Sequence, residues 1–78
     1  MNVTYQSIID ALHCTPRVWD KVKDNLQDVT IINCKGGRSY GLSFQGVFLG
    51  VFVKTEYINL EDLKETPFKY ENNRTLNL

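Results

Sequence analysis

The sequence has few of the residues that cross-link or metallate a small protein. Its 78 residues include two cysteines, Cys14 and Cys34, and one histidine, His13. Two cysteines are too few for a disulfide framework, and their separation offers none of the close spacings that complete a tetrahedral zinc site. The sequence therefore predicts neither a bound metal nor a cofactor.

Long apolar runs and an excess of one charge are also missing. No stretch approaches the roughly 18 apolar residues that span a bilayer, so a membrane is not an expected partner. Nine Lys and Arg balance nine Asp and Glu, whereas a nucleic-acid-binding domain commonly has a pI above about 9. Residues 1–78 are expected to form one small domain, whose core is too small to enclose a cofactor-sized pocket.

Composition also bears on origin and compartment. Residues with AT-rich codons (Phe, Tyr, Met, Ile, Asn and Lys) number 27, against 11 with GC-rich codons (Gly, Ala, Arg and Pro). This bias favours a phage, a mobile element or a low-GC bacterium as the source. The first residues lack the positive segment and apolar run of a secretory signal. We therefore expect a cytoplasmic protein, in the host cytoplasm if a phage encodes it.

Two amphipathic helices are predicted at the start of the chain. Residues 4–13 carry one apolar stripe at helical spacing, formed by Tyr5, Ile8, Ile9 and Leu12. Thr4 is a candidate N-cap for this helix. Thr15 can cap a second helix, which has Pro16 at its first position and continues to Gln27.

The apolar period changes from 3.6 to 2 after Asp28, which indicates strands. Residues 29–34, 39–45 and 47–53 predict three strands, and the glycines in Lys35–Arg38 predict a hairpin turn between the first two. The expected fold class is α+β, with the two N-terminal helices packed on a three-stranded antiparallel β-meander.

A short helix and a tail are predicted to complete the chain. Asn59 can cap a helix at Leu60–Glu65, which Pro67 ends. Residues 68–71 alternate and predict an edge strand. The Asn-rich residues 72–78 are predicted to fray.

The third predicted strand is apolar on both faces. This pattern is typical of a strand that is covered on both sides of its sheet. Two short helices can cover only one face of the meander. The other face would present either Phe48 and Phe52 or the intervening aliphatic residues. An exposed apolar patch on a small protein commonly marks an interface. The sequence therefore predicts an association surface and a homodimer.

The reactive side chains in the sequence are not spaced as a catalytic site requires. The one candidate is a Cys14–His13 pair oriented by Asp10. Neighbouring residues on a helix point about 100° apart, so His13 and Cys14 do not face each other. We therefore predict that the protein is not an enzyme and has no catalytic residues.

These observations lead to a functional hypothesis. We expect a non-enzymatic protein-interaction module, an accessory protein of a phage or mobile element that binds and inhibits a host macromolecule stoichiometrically. Its partner would be a host or phage protein. Aromatic, basic and acidic side chains are predicted to contact it: Trp19, Lys35, Arg38, Tyr40, Phe48, Phe52, Glu61, Asp62 and Glu65.

Two alternatives belong to other classes. A helix pair followed by a basic hairpin is the order of a winged-helix DNA-binding regulator, in which nucleic acid would contact Arg17, Lys21, Lys23, Lys35 and Arg38. Asp20 and Asp24 on the second helix oppose this function, because they repel phosphates. The third hypothesis is a dimeric small-ligand binder, with the ligand at a subunit seam lined by glycines and aromatic residues.

Overall fold

The computed structural model describes residues 2–77. It contains three α-helices and four strands: α1 (Val3–His13), α2 (Pro16–Val22), α3 (Leu60–Leu63), β1 (Val29–Cys34), β2 (Ser39–Phe44), β3 (Val47–Lys54) and β4 (Lys69–Leu76). Single 3-10 turns at Leu26–Asp28 and Thr55–Tyr57 precede β1 and follow β3. The predicted α+β class is confirmed.

The strands form one mixed sheet in the order β3-β2-β1-β4. β1 pairs antiparallel with β2, and β2 with β3, as the hairpin turns predict. β4 pairs parallel with β1, so the predicted three-stranded meander was incomplete. The chain returns through α3 on the helical side of the sheet and supplies a second edge strand.

The prediction that residues 72–78 fray was wrong for residues 72–76, which continue β4. Residue 78 lies outside the described residues. Cys34 lies opposite Leu76, and the Lys35 N–H donates to the Leu76 carbonyl at 2.9 Å. An Asn-rich sequence carries no apolar pattern to reveal such a strand. The unpaired backbone edge of β1 supplies the hydrogen bonds instead.

α2 is shorter than predicted. It begins at Pro16 but ends at Val22 instead of Gln27. Asn25 has φ −139° and ψ 47°, outside the helical region. Asp and Asn compete with the helix by bonding local backbone groups, and a 3-10 turn then leads into β1.

The main core lies between one face of the sheet and the helices. Its buried members come from every helix, from β1, β2 and β3, and from the segment before β4: Ile8, Ile9, Leu12, Val22, Val29, Ile31, Leu42, Phe44, Val51, Val53, Leu63 and Phe68. Tyr5, predicted on the buried stripe of α1, is 37% exposed and stacks on Phe68 instead. The helical layer therefore covers a single face of the sheet.

α3 is held against α1 by a buried hydroxyl. Asn2, rather than Thr4, caps α1 by accepting from the Tyr5 N–H at 3.2 Å. Thr4 lies inside α1, 1% exposed, where its Oγ1 accepts from the Asn59 N–H at 2.9 Å and donates to the Asn59 carbonyl at 3.4 Å.

Replacement of Thr4 by valine is expected to lower the free energy of unfolding by about 1–2 kcal/mol, because both hydrogen bonds between the buried hydroxyl and the Asn59 backbone are lost. Urea unfolding measures the change. Thr4→Ser keeps the hydroxyl and should retain most of this energy. A loss as large in Thr4→Ser as in Thr4→Val would contradict the assignment of this energy to the hydroxyl.

Candidate interaction surface

β3 divides its apolar side chains between the two faces of the sheet. Val51 and Val53 are 7% and 5% exposed and face the helices. Phe48 and Phe52 lie opposite Ser43 and Gly41 of β2 and project from the other side, which we call the open face. Their ring centroids are 5.3 Å apart at an interplanar angle of 64°. Phe52 is 42% exposed and Phe48 is half-buried.

A bulge in β3 leaves both rings on the same face, because its two extra residues preserve the alternation of side chains. The register shifts between the pairs Leu42↔Val51 and Ser43↔Phe48, so Leu49 and Gly50 are extra residues in β3. Gly50 has φ 76°, a conformation that glycine adopts at little cost. The alternation of β3 resumes beyond the bulge, with Phe52 again on the open face.

The open face is partly covered by the chain's own side chains. Ile32 is fully buried there, and Cys34 is 5% exposed, although neither belongs to the main core. A Cβ on Gly41 would lie 2.6 Å from Leu76 Cδ1 and 3.1 Å from Phe48 Cε1. Leu76 and Phe48 therefore close over Gly41. The uncovered apolar area is smaller than the sequence predicts and is concentrated at Phe52.

The predicted basic turn, Lys35–Arg38, lies at one end of this surface. Gly36 and Gly37 have φ of 98° and 70°, as a tight hairpin turn requires. Thr55, which directly follows β3, donates its N–H to the Arg38 carbonyl at 3.0 Å and its Oγ1–H to the Gly37 carbonyl at 2.8 Å. The exposed Lys35 and Arg38 therefore lie at the Lys54 end of β3.

Two of the predicted aromatic contact residues lie on the helical side of the sheet. Trp19 is half-buried against the core, edge-on to His13 at 4.3 Å. Tyr40 packs edge-on to Tyr70 at 6.0 Å. Burial raises the pKa of Tyr40 above its usual value, and the neighbouring Tyr70 raises this pKa further by a smaller amount. The structure does not bring Trp19 or Tyr40 together with the open-face phenylalanines.

The predicted acidic contact is also separate from the open face. Glu61 and Asp62 belong to α3, and Glu65 follows it. Because the Thr4–Asn59 bonds hold α3 against α1, these acids lie on the helical side of the sheet.

The basic residues proposed for DNA contact fall into two groups. Arg17, Lys21 and Lys23 lie on or directly after α2, where Lys23 Nζ is 3.8 Å from the Asp20 carboxylate. α2 leads into the start of β1, whereas the basic turn follows its end. Six residues of strand separate these ends by roughly 20 Å. The structure does not form one basic surface from the two groups.

An open groove that the sequence did not reveal lies beside β3. Its volume is about 400 Å³, and Ser7, Asp10 and Ala11 of α1 form one wall. Tyr57, 47% exposed, contributes from the turn after β3. In the sequence, the aromatic residue Tyr57 was the one signal of this groove. Its place in the lining depends on the turn after β3, which brings its side chain toward α1.

Two kinds of feature are absent from the part of the chain that the structure describes. Within residues 2–77, no three His, Cys, Asp or Glu side chains lie together. None of the helices described there is long and apolar enough to cross a membrane.

The structure therefore identifies one candidate surface, formed by the open-face pair Phe48 and Phe52, Lys54 and the basic turn at one end of β3. No family model matches this chain, and it matches neither a curated protein nor a solved structure.

Proposed function

We propose that this chain is a non-enzymatic protein-interaction module that binds a partner protein through the open face. The observation that supports this function is the exposed Phe52 ring, packed against Phe48 on a sheet face that no helix covers. Aromatic side chains that are held in place before binding make effective interface anchors, because little side-chain entropy is lost.

The positions of the reactive side chains support a role without catalysis. His13 packs its ring against Trp19, and Asp10 Oδ1 accepts a hydrogen bond from Gln6 Nε2 at 2.7 Å. A nucleophile requires a base and an orienting group directed at one point. These side chains are engaged in separate contacts.

The partner we propose is a macromolecule of a bacterial host, bound stoichiometrically in the cytoplasm by an accessory protein of a phage or mobile element. The AT-rich codon bias supports the source, and the small anchor surface supports inhibition by covering a functional site. The homodimer that the sequence predicts would use the same face, so a second copy and the partner would compete for it.

The change Phe52→Ser is expected to weaken partner binding about tenfold or more, since an aromatic anchor commonly contributes roughly 2 kcal/mol. The tagged chain would capture its partner from lysate of cells that carry the gene, and calorimetry on the purified complex would give affinity and stoichiometry. Because Phe52 is 42% exposed, the variant should remain folded.

Tyr5→Ser is the matched control, because Tyr5 is an exposed aromatic residue on α1. Its affinity should equal that of the parent chain. A partner that binds the parent and Phe52→Ser equally well would exclude the open face as the binding surface.

A further inference from the structure

β3 is an outer strand of the sheet, so one side of its backbone has no neighbouring strand. The Thr55 N–H bonds the Arg38 carbonyl, and the ladder then runs through Ser39↔Lys54, Tyr40↔Val53 and Gly41↔Phe52. In an antiparallel ladder, every second pair exchanges hydrogen bonds and the pairs between direct their backbone groups outward.

This alternation identifies the free groups. Val53 bonds Tyr40, so both backbone groups of Phe52 and the N–H of Lys54 point away from β2. Among the backbone bonds of residues 2–77, none joins these three groups to another element. The edge therefore offers two donors and one acceptor with the spacing of a strand.

The groove lies beside this edge, on the helical side. Its volume, about 400 Å³, is within the roughly 300–1,000 Å³ of pockets that hold small ligands. Phe52, Val53 and Lys54 form the β3 wall and Ala11 faces it from α1. A strand paired with β3 would direct alternate side chains into the groove and past Phe52 on the open face.

The side chains that line the groove, and those that could enter it, favour a flexible peptide over a second copy of the chain. In a β3–β3 pairing, the helix-side residues of the second copy would be Val51 and Val53, which are already buried in their own core. Neither of these two side chains is therefore free to enter the groove. The lining carries one carboxylate, Asp10, and one ammonium, Lys54, so it favours an uncharged side chain.

We propose that an extended peptide segment of the partner adds to the sheet at Phe52 and Lys54 and inserts one bulky, uncharged apolar side chain between α1 and β3. This inference rests on the proposed function and specifies its binding mode, which is strand addition.

Lys54 allows a test that isolates one backbone group. Its φ is −61°, close to the value that proline imposes, and Val53 before it is in a strand, as a residue before proline prefers. Lys54→Pro removes the outward N–H without breaking a bond to β2. Lys54→Ala removes the lysine side chain beyond Cβ but keeps the N–H, and thermal melting should show that both variants are folded.

The probe is a peptide selected from a random displayed library on the immobilised parent chain and labelled for fluorescence anisotropy. Lys54→Pro should bind this peptide about tenfold more weakly than Lys54→Ala, the effect of one lost backbone hydrogen bond. In the parent chain, the amides of Phe52 and Lys54 should become protected from hydrogen exchange when the peptide binds.

Three results would overturn the inference. The first is equal peptide affinity of the two Lys54 variants, and the second is a library that yields no binding peptide. The third is a parent chain that sediments as a dimer and dissociates on Lys54→Pro, since a second copy would then occupy the edge. None of these decides the proposed function, which the Phe52→Ser measurement on the captured partner tests separately.

Discussion

Replacement of Leu42 by alanine is expected to lower the free energy of unfolding by about 2–5 kcal/mol, the range for a large-to-small change in a closed core. Leu42 is fully buried in the central strand β2, opposite Ile31 on one side and Val51 on the other. A chain of 78 residues commonly has a total stability of about 4–12 kcal/mol. The variant would therefore lose a large part of it.

Urea unfolding of parent and variant measures this loss, provided that the m-value is unchanged. Leu60→Ala makes the same chemical change at a side chain that is 40% exposed, and it should cost less than about 1 kcal/mol. Similar losses at the two positions would contradict the assignment of Leu42 to the core.

The second large effect concerns Leu76, which covers Gly41 on the open face. Leu76→Ala is expected to speed the reaction of Cys34 with a thiol reagent roughly tenfold or more, because burial of a leucine contributes about 1.5–3 kcal/mol and each 1.4 kcal/mol is a factor of ten. Cys34 is 5% exposed beneath Leu76, its partner in the parallel ladder. The parent and each variant carry Cys14→Ser in this experiment, so that Cys34 is the single thiol.

Thr75→Ala is the control for this measurement. Thr75 belongs to the same strand, but its side chain is exposed, so the Cys34 rate should stay at the parent value. If Cys34 instead reacts rapidly in the parent chain and Leu76→Ala changes nothing, β4 frays in solution as the sequence alone predicts.

Local elements were predictable because short-range physics determines them. Residues 29–34 became β1 with the predicted bounds, and the positive φ of Gly36 and Gly37 follows from the tight turn. Asn59 caps α3 as predicted, accepting from the Glu61 N–H at 3.0 Å. The helix that was predicted to run to Gln27 but ends at Val22 shows the limit, because the residues after Val22 continue a helical pattern and do not mark its end.

The candidate site was predictable in part. The doubly apolar sequence of β3 indicated a face exposed to partners, and the structure assigns Phe48 and Phe52 to it. Trp19 and Tyr40 were predicted to contact a partner, and both are half-buried on the helical side of the sheet, away from Phe48 and Phe52. An aromatic residue looks the same in sequence whether a core or a partner covers it.

The sequence alone determined the order of the helices and the first three strands, the turn between β1 and β2 and the class of the fold, since each depends on residues close together in the chain. Only the tertiary structure decided that Lys69–Leu76 pairs with β1, that Leu76 closes over Gly41 and that α1 leaves a groove along β3. Parallel pairing joins segments some forty residues apart, and its energy comes from backbone groups that every residue carries. No side-chain pattern in the sequence therefore indicates that these two segments pair.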